Sequence, residues 1–169
     1  MHEERNDGLR RNIKIAVQRY QFAIECLHGN PKRVLDLACG YGYGCHMLRQ
    51  DGHSVIGYDI SHESIEYANA NYPGEYAVAD VEDKLFIPKD TVVCLEGLLH
   101  FKNPQAFIDK LQSKEIIISA AINTNPSDGY VYRLHNLTEQ EFRDMFKEWQ
   151  IIKELKQRSY LSLYCKKKI

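Results

Sequence analysis

A short apolar run that ends in alternating glycines constrains the fold of this chain more than any other feature. The run covers residues 34–39, and Gly40, Gly42 and Gly44 follow it at every second position. A run of this length is typical of a buried strand, and glycines let the backbone turn sharply and approach a ligand closely. The pattern therefore predicts a strand, a glycine-rich turn and a helix whose first amide groups face a small ligand.

Strand and helix patterns alternate along the rest of the chain. Apolar residues at steps of three and four predict an amphipathic helix over residues 9–27. Helix-capping signals at Ser61, Asn103 and Thr138 lie among later segments with the composition of strands, which are 54–58, 75–79, 91–95, 115–121, 150–155 and 159–165. No crossover of helical length separates the last two strands, so we expect an antiparallel hairpin. This order of elements predicts an α/β fold.

Length and charge restrict the kind of protein this can be. At 169 residues the chain has the size of one domain, with an N-terminal helix region, 1–30, and a core, 31–169. Lysine and arginine (22) nearly balance aspartate and glutamate (23), so there is no positive field to attract nucleic acids or anionic membranes. No apolar run reaches the roughly 20 residues of a membrane span, and the N-terminus has no apolar signal core. We expect a cytoplasmic protein without nucleic-acid or membrane partners.

Three aspartates lie where predicted strands end. Asp36 lies within the end of the first strand, Asp59 ends the second and Asp80 follows the third. Since the carboxyl ends of parallel strands meet at one edge of a sheet, we expect these side chains to face one ligand. Asp59 suits the two hydroxyls of a ribose, and Asp80 suits an adenine amine with the backbone of Val81 beside it. Asp36 suits a positively charged group.

The glycine spacing disfavours a dinucleotide as that ligand. The dinucleotide fingerprint requires its third glycine at the position of Cys45, one residue after Gly44. Asp36 would also place negative charge beside a pyrophosphate. A ligand that combines an amine, a ribose and an adenine without phosphate fits the pattern better, although a nicotinamide-dependent oxidoreductase stays open as an alternative.

Four ordered motifs resemble those of the class I S-adenosylmethionine-dependent methyltransferases. They cover residues 34–44, 55–61, 79–81 and 93–101. Residues 19–23 and the glycine loop resemble in particular a branch of small bacterial and phage enzymes. The resemblance implies a single-domain, doubly wound, Rossmann-like fold, with a mostly parallel seven-stranded sheet that ends in the antiparallel hairpin. It also implies S-adenosyl-L-methionine as the cofactor and S-adenosyl-L-homocysteine as the product.

The resemblance assigns individual residues to parts of this cofactor. Asp36 and the backbone of Gly40 would contact its methionine part, and Gly42 in the same loop is a further cofactor-binding residue. The other assigned residues are Asp59 and Ile60 for the ribose and the adenine face, Asp80 and Val81 for the adenine edge, and Leu95 and Glu96 for the methionine side next to the acceptor.

Two departures from similar sequences bear on metals and acceptors. Some similar O-methyltransferases carry Glu-x-x-Glu-His after the fourth strand and use it for a divalent metal, whereas this chain has Leu99 in place of the second glutamate. We therefore expect no essential metal. The Asn/Asp-Pro-Pro-Tyr signature of amino-group methyltransferases is missing after Leu95, which disfavours methylation of nucleobases.

The expected reaction is methyl transfer to a small-molecule or glycan acceptor, with a hydroxyl as the receiving group. Direct in-line displacement requires alignment and no covalent intermediate. A hydroxyl must lose its proton, and His100 and His135 are the candidate bases because histidine titrates near neutral pH. A chain of this size leaves little room for a lid, so the pocket would stay open or be completed by a second copy in a homodimer. Gly97 and Leu99 in the fourth motif keep a non-catalytic S-adenosylmethionine-binding protein open as an alternative.

Overall fold

One seven-stranded sheet runs through the computed structural model, which describes residues 2–83, 91–95, 97–124 and 133–168. The strands are β1 Arg33–Leu37, β2 Ser54–Asp59, β3 Glu75–Val78, β4 Thr91–Leu95, β5 Glu115–Ala121, β6 Trp149–Gln157 and β7 Tyr160–Lys167. Their order across the sheet is β3-β2-β1-β4-β5-β7-β6. The first five strands run parallel, and β7 lies antiparallel between β5 and β6. The predicted mostly parallel sheet with a C-terminal hairpin is confirmed.

The helices begin where the sequence provides capping groups. They are α1 His2–Leu27, α2 Tyr43–Gln50, α3 His62–Asn71, α4 Pro104–Lys110 and α5 Glu139–Asp144, with a 3-10 helix at Leu98–His100. The side chains of Ser61 and Asn103 accept hydrogen bonds from backbone amides in the first turns of α3 and α4, and Thr138 forms a reciprocal capping box with Glu141. The three predicted helix starts are confirmed. Within the described ranges, none of these helices is long and apolar enough to cross a membrane.

The sheet separates two buried clusters because successive side chains of a strand point to opposite faces. In β5, Ile116 and Ile118 pack with Phe142 of α5 on one face, whereas Ile117 lies in the cluster of the other face with Leu27 of α1. All seven residues of β5 are buried. This burial is typical of a strand that is covered on both sides.

Local structure departs from the prediction at the ends of apolar runs. β1 ends at Leu37 instead of residue 39, because Ala38 has a φ of 62°, which no strand residue adopts. α1 begins at His2 instead of residue 9. The apolar spacing after Thr138 predicts one helical face up to Trp149, but α5 ends at Asp144 and Trp149 begins β6. Trp149 packs in the core as a strand residue, so its burial does not require the helix to continue.

The strand order changes direction at β1, which has β2 on one side and β4 on the other. At such a switch point the connections leave toward opposite faces of the sheet, and a crevice opens at the carboxyl ends of the strands. The glycine turn between β1 and α2 lies at this crevice. The fold therefore places the residues of the turn where a ligand can reach them.

Candidate functional site

The turn after β1 has an unusual backbone conformation. Ala38, Gly40 and Gly42 all have positive φ values, of 62°, 55° and 82°. Glycine adopts this region freely, whereas an L residue with a side chain pays roughly 1–2 kcal/mol there. Gly42 is also the N-terminal cap of α2, which begins at Tyr43. The turn thus leads directly into the first free amides of a helix.

Asp59 joins this turn to the end of β2. One carboxylate oxygen accepts a hydrogen bond from the backbone amide of Gly40 at 2.8 Å, and the other accepts one from the amide of Ser61 at 2.9 Å. Each carboxylate oxygen has a second acceptor site, so Asp59 can still receive hydrogen bonds from ligand hydroxyls. The side chain therefore both supports the loop and offers a polar group to a ligand.

A cavity of about 220 Å³ opens beside Asp59. Its walls come from the segments that follow β1 to β4, and the lining residues are Ala38, Asp59, Ile60, Ala79, Asp80, Val81, Glu82, Gly97, His100 and Phe101. The structure thus brings together four predicted cofactor residues and one predicted base. Ile60 is 67% exposed, which leaves a large apolar side chain free to cover a flat ring.

Asp36 lies in β1, directly before the glycine turn, and does not line the cavity. It is completely buried, and its Oδ2 accepts hydrogen bonds from the Tyr20 hydroxyl at 3.0 Å and the Cys45 thiol at 3.1 Å. Its Oδ1 is buried without a hydrogen-bond partner among the described residues. Burial raises the pKa of Asp36 from 3.8 to about 7 because the ionised carboxylate loses its hydration. A buried, half-satisfied carboxyl of this kind is often part of a functional site.

The other predicted residues that the structure describes do not line this cavity. Leu95 is buried in the core cluster on the α1 side of the sheet. His135 lies in a second groove of about 300 Å³ near the start of α4, and its Nε2 is 2.8 Å from the carbonyl oxygen of Phe101. Glu96 lies outside the described residues. Within those described ranges, no group of three or more histidine, cysteine or acidic side chains is arranged to hold a metal ion.

Comparison with known proteins gives the family that this part of the chain resembles. Residues 35–113, which include the glycine turn and the walls of the cavity, match the family model described as a methyltransferase domain. This part of the chain resembles a methyltransferase domain. The resemblance inferred from the four sequence motifs is confirmed. A ubiquinone biosynthesis O-methyltransferase from Xylella fastidiosa is 32% identical over 85 residues, which span 46% of this chain and 35% of that relative.

Solved structures of methyltransferases share the fold. Magnesium protoporphyrin IX methyltransferase from Synechocystis PCC 6803, crystallised with bound SAH, has a TM-score of 0.74 at 21% identity, over 89% of this chain and 83% of that one. The complex between the Haloferax volcanii Trm112 methyltransferase activator and a methyltransferase gives a TM-score of 0.78 at 13% identity, over 94% of this chain and 92% of the matched chain. TehB from Haemophilus influenzae has a TM-score of 0.71 at 18% identity, over 88% of this chain and 61% of that one. These likenesses confirm the Rossmann-like fold of the domain.

Five residues on the cavity wall are missing from the prediction, which are Ala38, Ala79, Glu82, Gly97 and Phe101. The carboxylate of Glu82 accepts hydrogen bonds from the backbone amides of Lys102 and Asn103 at 2.8 and 2.9 Å, which connects the segment after β3 to the start of α4. Ala38 and Gly97 lie so close that a Cβ on Gly97 would be 2.6 Å from the Cβ of Ala38. The small residues at every second position begin at Ala38, two residues before Gly40, and this pattern can be read from the sequence. No local signal marks Glu82, because its partners lie far along the chain.

The third glycine of the loop serves packing within the domain. Gly44 lies in the first turn of α2, and a Cβ on it would overlap with the ring of Tyr20 from α1. Tyr20 is 4% exposed, and its ring also makes an edge-to-face contact with Tyr43 at 5.4 Å. The absence of a side chain at Gly44 therefore lets the Tyr20 hydroxyl reach Asp36.

Replacing Gly44 by alanine is expected to destabilise the protein by about 1–3 kcal/mol, because the methyl group displaces the Tyr20 ring from the core. Alanine is otherwise the better helix residue by about 1 kcal/mol, so helix propensity alone predicts the opposite sign. Urea denaturation of Gly44→Ala measures the change, with Asn69→Ala at an exposed position of α3 as the control. A more stable Gly44→Ala protein would show that Tyr20 does not need this space.

Proposed function

We propose that this chain is an S-adenosylmethionine-dependent methyltransferase that transfers a methyl group to a hydroxyl of a small-molecule or glycan acceptor. The observation that carries the proposal is the cavity beside the glycine turn, where Asp59, Ile60, Asp80 and Val81 meet. These residues come from the ends of two neighbouring strands, β2 and β3, and the family match extends over both of them.

The cavity fits an adenosine that carries positive charge. Asp59 offers acceptor oxygens to a ribose, Asp80 offers an acceptor to an adenine amine, and Ile60 offers an apolar surface to the ring. Glu82 adds a third carboxylate, and the described residues that line the cavity include no lysine or arginine. Carboxylates repel a pyrophosphate and attract a cation. The lining therefore supports S-adenosylmethionine over a dinucleotide.

The acceptor side of the proposal depends on His100. When bound, S-adenosylmethionine supplies a methyl group on a sulfonium, which an acceptor hydroxyl takes by direct in-line displacement. His100 is exposed on the cavity wall, where a neutral imidazole can accept the proton of that hydroxyl. The relative from Xylella fastidiosa is named as an O-methyltransferase, which favours oxygen as the receiving atom. In this proposal His135 supports the wall through the carbonyl of Phe101.

Calorimetric titration with S-adenosylmethionine, S-adenosylhomocysteine and NAD tests the cofactor. We expect the first two to bind and NAD not to bind. Transfer of a labelled methyl group to a panel of hydroxylated aromatic compounds and glycans then tests the acceptor class. Binding without transfer to any acceptor would favour a non-catalytic cofactor-binding protein. Binding of NAD alone would overturn the proposal and establish the oxidoreductase.

A further inference from the structure

The two oxygens of the Asp36 carboxyl have different surroundings. Oδ2 accepts two hydrogen bonds, from the Tyr20 hydroxyl and the Cys45 thiol, whereas Oδ1 has no hydrogen-bond partner among the described residues. Both atoms belong to a side chain that is 0% exposed. Leaving a buried acceptor without a donor is unfavourable, so such an atom in β1, directly before the glycine turn, points to a donor that arrives with a ligand.

Tyr20 in α1 fixes the orientation of the Asp36 carboxyl in β1. Its ring is enclosed by the backbone of Gly44 and the ring of Tyr43, so the hydroxyl has little freedom to turn away from Asp36. Through this one side chain, α1 contacts both β1 and the first turn of α2, the hydroxyl on Asp36 and the ring on Gly44. The orientation of the Asp36 carboxyl therefore depends on a residue that lies sixteen positions earlier in the chain.

We propose that Tyr20 is a positioning residue for cofactor binding, which occupies Oδ2 of Asp36 and thereby reserves Oδ1 for the ammonium group of the cofactor's amino-acid end. This inference rests on the proposed function, since it names the role of one residue toward the same cofactor. Tyr20 acts through Asp36 and does not contact the cofactor itself.

The location of Asp36 favours the amino-acid end of the cofactor over its adenosine end. The adenosine groups have their own partners on β2 and β3, at Asp59 and Asp80, whereas Asp36 lies on β1, which is flanked by β2 and β4. An ammonium group is the donor that gains most from a buried carboxylate, because a charge-assisted hydrogen bond is about twice as strong as a neutral one. A neutral hydroxyl or water would satisfy Oδ1 without compensating the charge.

Two ligands that differ only at this end provide the test. S-adenosylhomocysteine carries the amino-acid group, and 5′-methylthioadenosine has the same adenine and thioribose without it. In calorimetric titrations of the full chain, we expect Tyr20→Phe to weaken S-adenosylhomocysteine about 10-fold and Asp36→Asn to weaken it about 30-fold. Both variants should bind 5′-methylthioadenosine within about twofold of the unmodified protein. Tyr72→Phe, at the end of α3 and away from Asp36, is the matched control.

The ratio of the two affinities separates positioning from damage to the fold. If Tyr20→Phe weakens both ligands equally, Tyr20 only supports the structure and the inference is wrong. If it weakens neither, Asp36 does not need Tyr20 and the inference is also wrong. Should Tyr20→Phe not fold, the same ratio measured on Asp36→Asn decides whether Oδ1 serves the amino-acid end. Failure of the unmodified protein to bind either ligand would overturn the proposed function itself, which is a different result from a changed ratio.

Discussion

Replacing Asp59 by asparagine is expected to weaken the binding of S-adenosylhomocysteine about 100-fold. The asparagine lacks the negative charge and presents an NH₂ group to either the Gly40 or the Ser61 amide, each of which now donates to a carboxylate oxygen. Hydrogen bonds to a charged group contribute roughly 1.5–3 kcal/mol each, so the loss of about 3 kcal/mol corresponds to this factor. The single change removes both the proposed ribose contact and the support of the glycine turn.

Adenosine as a second ligand shows which part of the cofactor Asp59 serves. It keeps the ribose and the adenine, so Asp59→Asn should weaken adenosine by the same factor as S-adenosylhomocysteine. Asp109→Asn, at an exposed position of α4, is the matched control and should leave both affinities unchanged. An Asp59→Asn protein that folds and binds S-adenosylhomocysteine within about threefold of the unmodified chain would exclude Asp59 as a ligand of the ribose.

The sequence predicts the strands and most helix starts well because their signals are local. The β-branched run in β4 and β5, the capping box at Thr138 and the proline at the start of α4 each act within a few residues. Asp59 was predicted for the same reason, because its position at the end of a strand can be read from the strand itself. The fold class and the position of Asp59 at the cavity can therefore be predicted from patterns that need no tertiary contact.

Other parts of the site depend on contacts between distant segments. Gly44 reads as a ligand-binding glycine in the sequence, whereas in the structure it makes room for Tyr20, a residue of another helix. Glu82 gives no signal because its partners begin twenty residues later. The sequence offers His135 as a base because histidine titrates near neutral pH, and only the fold shows that its ring lies against the Phe101 carbonyl in a separate groove. Residue type predicts chemistry, but the neighbours of each side chain require the fold.

The contribution of Asp36 to the stability of the ligand-free protein is expected to fall as the pH rises from about 4 to about 7. Burial raises the pKa of Asp36 from 3.8 to about 7, so between these values the folded chain holds a proton that the unfolded chain has released. Since the folded state binds more protons in this range, the free energy of unfolding decreases with rising pH. The contribution is fully present below pH 3.8 and lost above about pH 7, and it corresponds to about 4 kcal/mol in total.

Asp36→Asn isolates this contribution, because asparagine does not titrate and its side-chain oxygen can still accept from Tyr20 and Cys45. Urea denaturation of both proteins from pH 5 to pH 8 should show the variant gaining about 3 kcal/mol relative to the unmodified chain, since part of the change lies below pH 5. Asp109→Asn should give a constant difference over the same range. A parallel pH dependence of Asp36→Asn and the unmodified protein would mean that Asp36 is already ionised at pH 5, and that water or a cation reaches the buried oxygen without a cofactor.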